Sequence, residues 1–157
     1  MNDMTETHYR YTACGLDNVF LVGLPQAEDR GGDQTITIPS INKLHAVLRR
    51  AVAQKDGGLD PKEIRFLRSE LELTQAELAR VVHKDAQTVG RWERGETQID
   101  GNSETLLRAM ALEQDDEHPP SVRELSAKSV PTAAPHMYNV SVSDEGEYRL
   151  ADELQAA

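Results

Sequence analysis

Between positions 60 and 113 the apolar residues recur three and four apart, the period of helices that each bury one face. Ile64, Leu67 and Leu71 open this run with Phe66 beside them, and Asp60-Pro61-Lys62-Glu63 stands just before it. Aspartate caps a helix, proline fits the first helical position where no amide donor is missed, and Glu63 reaches back to the cap. Leu73 leads into Thr74-Gln75-Ala76-Glu77, a second capping box of the Thr-x-x-Glu form, and Leu78, Ala79 and Val82 then predict a helix of two turns. His83-Lys84 breaks it. Asp85 caps a third helix running through Thr88, Val89 and Trp92, and Gly95 sits where a left-handed residue ends a helix. Asn102 or Ser103 starts a fourth, with Leu106, Leu107, Met110 and Leu112 as its apolar face.

The flanks follow other patterns. Asn18 to Leu24 reads as a strand, Gln34 to Ile38 alternates like a second, and the alternation of Tyr9 and Tyr11 suggests a short third. Pro25 to Asp33, with Gly31-Gly32, predicts an exposed loop. Ser40 caps a helix whose stripe is Ile41, Leu44, Val47, Leu48, Ala51 and Val52, and Asp56-Gly57-Gly58 reads as a linker. Beyond position 114 the pattern predicts a short helix around Val122 to Ala127. It also predicts a hairpin of Met137–Ser143 with Tyr148–Leu150, for which a solvated acidic tail is the alternative. The expected division is therefore a small α+β unit over 1–58, a helical domain over 59–114 and an acidic C-terminal tail over 115–157. The fold class expected is mainly α with a small α+β N-terminal unit.

Short helix, tight turn, short helix is the geometry that projects a second helix into a major groove. Its outward positions are Ala86, Gln87, Thr88 and Arg91, with Val89 and Trp92 facing inward. Glutamine bonds adenine through two atoms, and arginine bonds guanine O6 and N7 in the same way. Gln87 and Arg91 lie four apart, hence on one face.

Leu73-Thr74-Gln75-Ala76-Glu77-Leu78-Ala79, followed at matching distance by Arg91-Trp92-Glu93-Arg94-Gly95, resembles the XRE-type helix-turn-helix of phage repressors and bacterial regulators. The resemblance covers about 55 residues and implies a lambda-repressor-like helical bundle that binds operator DNA. It implies that Gln75 holds a phosphate, that Gln87 and Arg91 read bases, that Ala86 offers a methyl contact to thymine, and that Arg68 and Glu93 form a shielded structural ion pair. Arg94 is either a phosphate contact or a charge offsetting the helix macrodipole. Three residues depart from the family pattern: His83 where glycine is common, Lys84 where an apolar residue is common, and Gly90 inside the recognition helix. Lys84 is then a phosphate contact, and Gly90 marks a close approach to DNA or to another helix.

The layout of β-containing unit, helix and XRE-type domain, with Tyr9-Arg10-Tyr11-Thr12-Ala13-Cys14 near its start, is similar to the MqsA-like antitoxins of type II toxin–antitoxin systems. That similarity implies an autorepressing antitoxin whose N-terminal unit neutralises a cognate toxin. The zinc-binding branch uses paired cysteines, whereas Cys14 stands alone here, so no metal or other cofactor is expected. A homodimer is expected because one such domain contacts few base pairs. The broad apolar face from Asn102 to Glu113 is the candidate interface.

Charge at first argues against nucleic acid, since the 157-residue chain carries a formal −10. Residues 113–157 hold 3 basic and 10 acidic side chains, whereas 59–112 hold 8 and 10, so the helical segment can still present a basic face. No apolar stretch approaches the ~18 residues of a membrane span, and the polar start of the chain lacks a leader pattern, so a cytoplasmic location is expected. No nucleophile–base set, paired carboxylate or phosphate loop suggests an enzyme. Two alternatives remain: a plasmid or phage regulator of the same type without a toxin partner, and a protein-interaction adaptor that has lost DNA binding.

Overall fold

The computed structural model describes residues 8–24, 26–28, 30–32, 34–113, 118–132 and 136–151. Two compact units divide the chain: residues 1–47 together with 136–157, and residues 48–135.

The first unit contains β1 (His8–Arg10), β2 (Val19–Val22), β3 (Gln26–Glu28), β4 (Gln34–Ile36), the first half of α1 (Ile41–Ala53), β5 (Tyr138–Val142) and β6 (Tyr148–Leu150). Its main sheet has the order β1-β2-β5-β6. The outer pairs are antiparallel, and the central pair is parallel, with Val19 opposite Tyr138 and Leu21 opposite Val140. Successive side chains of a strand point to opposite faces. Val19 and Leu21 of β2 and Tyr138, Val140 and Val142 of β5 are buried accordingly, as are Tyr11, Leu16, Leu24, Leu44 and Tyr148. The Tyr11 hydroxyl lies 2.8 Å from His45 Nε2, which ties the segment after β1 to α1.

Three expectations are corrected here. The stretch Pro25–Asp33, expected as a loop, contains β3, which pairs antiparallel with β4 in a separate two-stranded sheet, Gln26 opposite Ile36. Pro25, Asp29 and Asp33 themselves lie outside the described residues, as does the acidic run Asp115–Glu117. The hairpin expected near the C-terminal end forms as β5 and β6, yet it belongs to the sheet of the N-terminal segment and not to a separate tail. Asp56-Gly57-Gly58 is no linker. The Gly57 carbonyl accepts from Arg108, and a Cβ on Gly58 would stand 2.8 Å from the Val130 carbonyl oxygen. The two units part within α1, at residues 47 and 48.

The second unit holds the end of α1, then α2 (Pro61–Glu70), α3 (Gln75–Val81), α4 (Ala86–Arg94), α5 (Gly101–Glu113) and α6 (Val122–Lys128). Leu48, Val52, Ile64, Phe66, Leu67, Leu78, Val89, Trp92, Leu107, Leu112 and Leu125 are buried in it. α5 starts at Gly101, one residue before Asn102, and the Asp100 carboxylate caps it by accepting the Ser103 amide at 3.1 Å. Its apolar face packs on α2 and α6, leaving Leu107, Ala111 and Leu112 with no exposed surface. Of the face expected as a dimer interface, Leu107 and Leu112 are therefore covered within the unit, while Leu106 is exposed and Met110 half-buried.

Among the described residues, the charged side chains of Lys55, Glu63, Glu104 and Arg108 are also buried. Buried ions persist only when paired and hydrogen-bonded. Glu63 completes the α2 capping box by accepting the Asp60 amide at 2.9 Å, and the same oxygen takes Lys55 Nζ at 2.7 Å. Arg108 reaches the carbonyls of Lys55 at 2.6 Å and of Ala53 and Lys128 at 3.3 Å, with Glu104 Oε2 at 3.5 Å. Glu104 in turn accepts the Leu59 amide at 2.7 Å, and burial pushes its carboxyl above the ordinary range.

Candidate nucleic-acid interface

Local chemistry positions α3 and α4. Thr74 Oγ1 accepts the Glu77 amide while Glu77 accepts the Thr74 amide, both at 3.1 Å, so two donors at the start of α3 are satisfied reciprocally. α4 begins on Asp85, whose carboxylate takes the Thr88 amide at 2.7 Å and the Thr88 hydroxyl at 2.8 Å. Those hydrogen bonds from Thr88 hold the Asp85 carboxyl below its usual range.

The turn between the helices closes as a Schellman motif: the Lys84 amide donates to the Ala79 carbonyl at 2.8 Å and the His83 amide to that of Arg80 at 3.4 Å. This motif requires a left-handed residue, and His83 supplies it at φ 59°. Gly95, at φ 75°, does the same at the end of α4 without a Cβ penalty. His83 is exposed and its Cβ opposes this backbone angle. His83→Gly is therefore expected to stabilise the protein by about 0.5–1 kcal/mol, after the larger chain entropy of glycine in the unfolded state is set against the relieved strain. A urea midpoint that falls in the variant would contradict that account.

Around this frame the expected contact residues separate into groups. On α4, Val89, Gly90 and Trp92 are buried, while Ala86, Gln87 and Arg91 are exposed. An amide and a guanidinium thus stand one helical turn apart on the solvent face. Lys84 is exposed in the turn just before them. Thr88, expected outward with them, is half-buried and commits its hydroxyl to the Asp85 cap.

Arg68 and Glu93 form a two-pronged ion pair, Nε–Oε2 at 2.7 Å and Nη2–Oε1 at 2.9 Å. Arg68 Nη1 also reaches the Leu73 carbonyl at 2.9 Å, so α2, the loop before α3, and α4 are joined by one side chain. Gln75 Nε2 lies 3.4 Å from Glu93 Oε1, which seats the first residue of α3 on this pair.

Gly90, expected at a close approach to DNA or to another helix, borders α3: a Cβ there would lie 2.9 Å from Arg94 Nη1 and 3.6 Å from Gln75 Oε1. One feature escaped the sequence reading. Arg94 is itself paired, donating Nε to Glu96 Oε1 at 2.9 Å across Gly95. The spacing Arg-Gly-Glu is the only signal for that contact in the sequence, and it does not by itself reveal that Gly95 folds the chain back.

Among the described residues no helix is long and apolar enough to cross a membrane, and no cluster of three His, Cys, Asp or Glu is placed to hold a metal ion. Residues 64–102 match the family described as Helix-turn-helix, a span from α2 to the first residues of α5. No curated protein and no solved structure is found to match this chain. With its buried Trp92, its capped α3 and the outward Gln87 and Arg91, the matched segment has the build of an XRE-type helix-turn-helix, a family of DNA-binding domains.

Proposed function

We propose that the protein is a sequence-specific transcriptional regulator that represses by occupying an operator, carrying out no chemistry of its own and needing no cofactor. The observation that carries this reading is the division of α4, with Trp92 and Val89 inside and Gln87 and Arg91 outside. Direct readout needs such a face, because sequence is read only where side chains reach base edges. Lys84 and Gln75 then serve as phosphate contacts that set register.

Binding to a duplex from upstream of its own gene should weaken steeply as salt rises. Arg91→Ala is expected to weaken that specific binding by about 1–3 kcal/mol and to relax the preference at one base pair. Gln87→Ala should do the same at a neighbouring position. Fluorescence anisotropy over a panel of point-substituted duplexes reads both effects. Wild-type affinity and wild-type preference in Arg91→Ala would remove Arg91 from base readout and favour an adaptor without DNA contacts.

The first unit extends the reading to an autorepressing antitoxin. Its support is the sequence resemblance together with a separate compact unit whose sheet ends in the edge strands β1 and β6, a common geometry for partner binding. A second copy would supply the second half-site. Co-purification with the product of the adjacent gene tests the toxin partner, and sedimentation tests the dimer. Failure to co-purify with that product would leave a regulator without a toxin, and a monomer that still represses would remove the paired half-site.

A further inference from the structure

Arg94 occupies an unusual position for a residue beside a DNA-reading helix. Its Nε donates to Glu96 Oε1 at 2.9 Å and its Nη2 to Glu96 Oε2 at 3.3 Å, a fork matched to a single carboxylate. The third nitrogen, Nη1, lies over Gly90, where a Cβ would stand 2.9 Å from it and 3.6 Å from Gln75 Oε1. The guanidinium is thus parked next to the start of α3, the place that accepts a backbone phosphate in the proposed complex. The Glu96 amide closes the α4 terminus by donating to the Arg91 carbonyl at 2.9 Å, which fixes the backbone from which its side chain extends.

We propose that Glu96 is a built-in competitor of DNA: it holds the Arg94 guanidinium in the free domain and must release it before Arg94 can take a phosphate oxygen. This rests on the reading that α4 faces a duplex. A carboxylate and a phosphodiester present the same kind of oxygen pair to an arginine fork, so one excludes the other. Both side chains are more than half exposed, 59% and 53%, so the pair is weak enough to open. Its function is then to lower affinity for every duplex alike, since a phosphate contact carries no sequence information. A regulator held back in this way dissociates more readily from nonspecific sites and leaves discrimination to Gln87 and Arg91.

Four proteins test this: wild type, Glu96→Gln, Arg94→Gln and the double variant, each titrated against an upstream duplex and a scrambled duplex of equal composition. Glu96→Gln is expected to tighten binding to both duplexes by a similar factor of about 2–5. In the Arg94→Gln background the same change should have little effect, because its target is gone. Arg94→Gln should flatten the salt dependence by about one phosphate contact when made in Glu96→Gln.

Unchanged affinity in Glu96→Gln overturns the proposal. So does an equal gain with and without Arg94, which would mean that Glu96 acts only through the general field. Tightening on the upstream duplex alone overturns the phosphate assignment. If wild type binds neither duplex, the regulator reading fails first, and that outcome is distinct from all the others.

Discussion

Replacing Arg108 by alanine is expected to lower stability by about 3–5 kcal/mol, the range for breaking a buried charged network by removing one partner. The guanidinium is fully buried and is the donor that the Ala53, Lys55, Gly57 and Lys128 carbonyls share. Without it those oxygens lose a donor where water has poor access, and Glu104 keeps a buried charge whose nearest cation has gone. The vacated volume adds a cavity term. Thermal unfolding should read this as a midpoint lower by more than about 10 °C, since 1 kcal/mol moves a domain of this size by roughly 4–8 °C. Arg108→Lys separates the contributions. A lysine keeps the charge but cannot span four carbonyls, so it should recover only part of the loss. If Arg108→Ala unfolds within a few degrees of wild type, the network is decorative and the turn at Asp56-Gly57-Gly58 is held by other contacts.

The second large effect is expected at Trp92. It is buried at 3% exposure in the packing of α4 against α2 and α3, and truncating a core tryptophan costs about 3–5 kcal/mol. Because the same helix carries Gln87 and Arg91, loss of its anchor should abolish DNA binding together with stability. Arg91→Ala, by contrast, should leave the melting midpoint near wild type while weakening the complex. That pairing distinguishes support from readout: near-UV circular dichroism and thermal unfolding follow the first, anisotropy the second. Trp92→Phe keeps most of the apolar volume and should retain partial binding. Full DNA affinity in a destabilised Trp92→Ala would show that α4 is oriented by something other than this side chain.

The helical centre was legible in the sequence because its signals are local. Capping boxes act over three residues, apolar spacing repeats every three or four, and a left-handed end needs one residue in the right place, so Asp60-Pro61, Thr74 to Glu77 and Gly95 announced their elements. The pairing of Arg68 with Glu93 came by resemblance, and its two short contacts follow from two helices meeting. Strand positions were partly legible from alternation, as in Val19 to Val22 and Tyr138 to Val142.

What alternation cannot state is which strand lies beside which. The parallel pairing of β2 with β5 joins residues more than a hundred positions apart, and nothing within either strand encodes that neighbour. The same holds for α5. Its pattern shows an apolar face but not what covers it, and only tertiary packing decided that α2 and α6 cover Leu107 and Leu112. Charged residues are harder still. The burial of Lys55, Glu104 and Arg108 has no signal along the chain, because the carbonyls and the amide that make it tolerable belong to segments that meet only on folding. The sequence by itself therefore determined where α2, α3 and α4 begin and which side of α4 stays outward. The tertiary structure decided which surfaces are already spent on the protein itself, since burial depends on neighbours that the chain brings together only by folding.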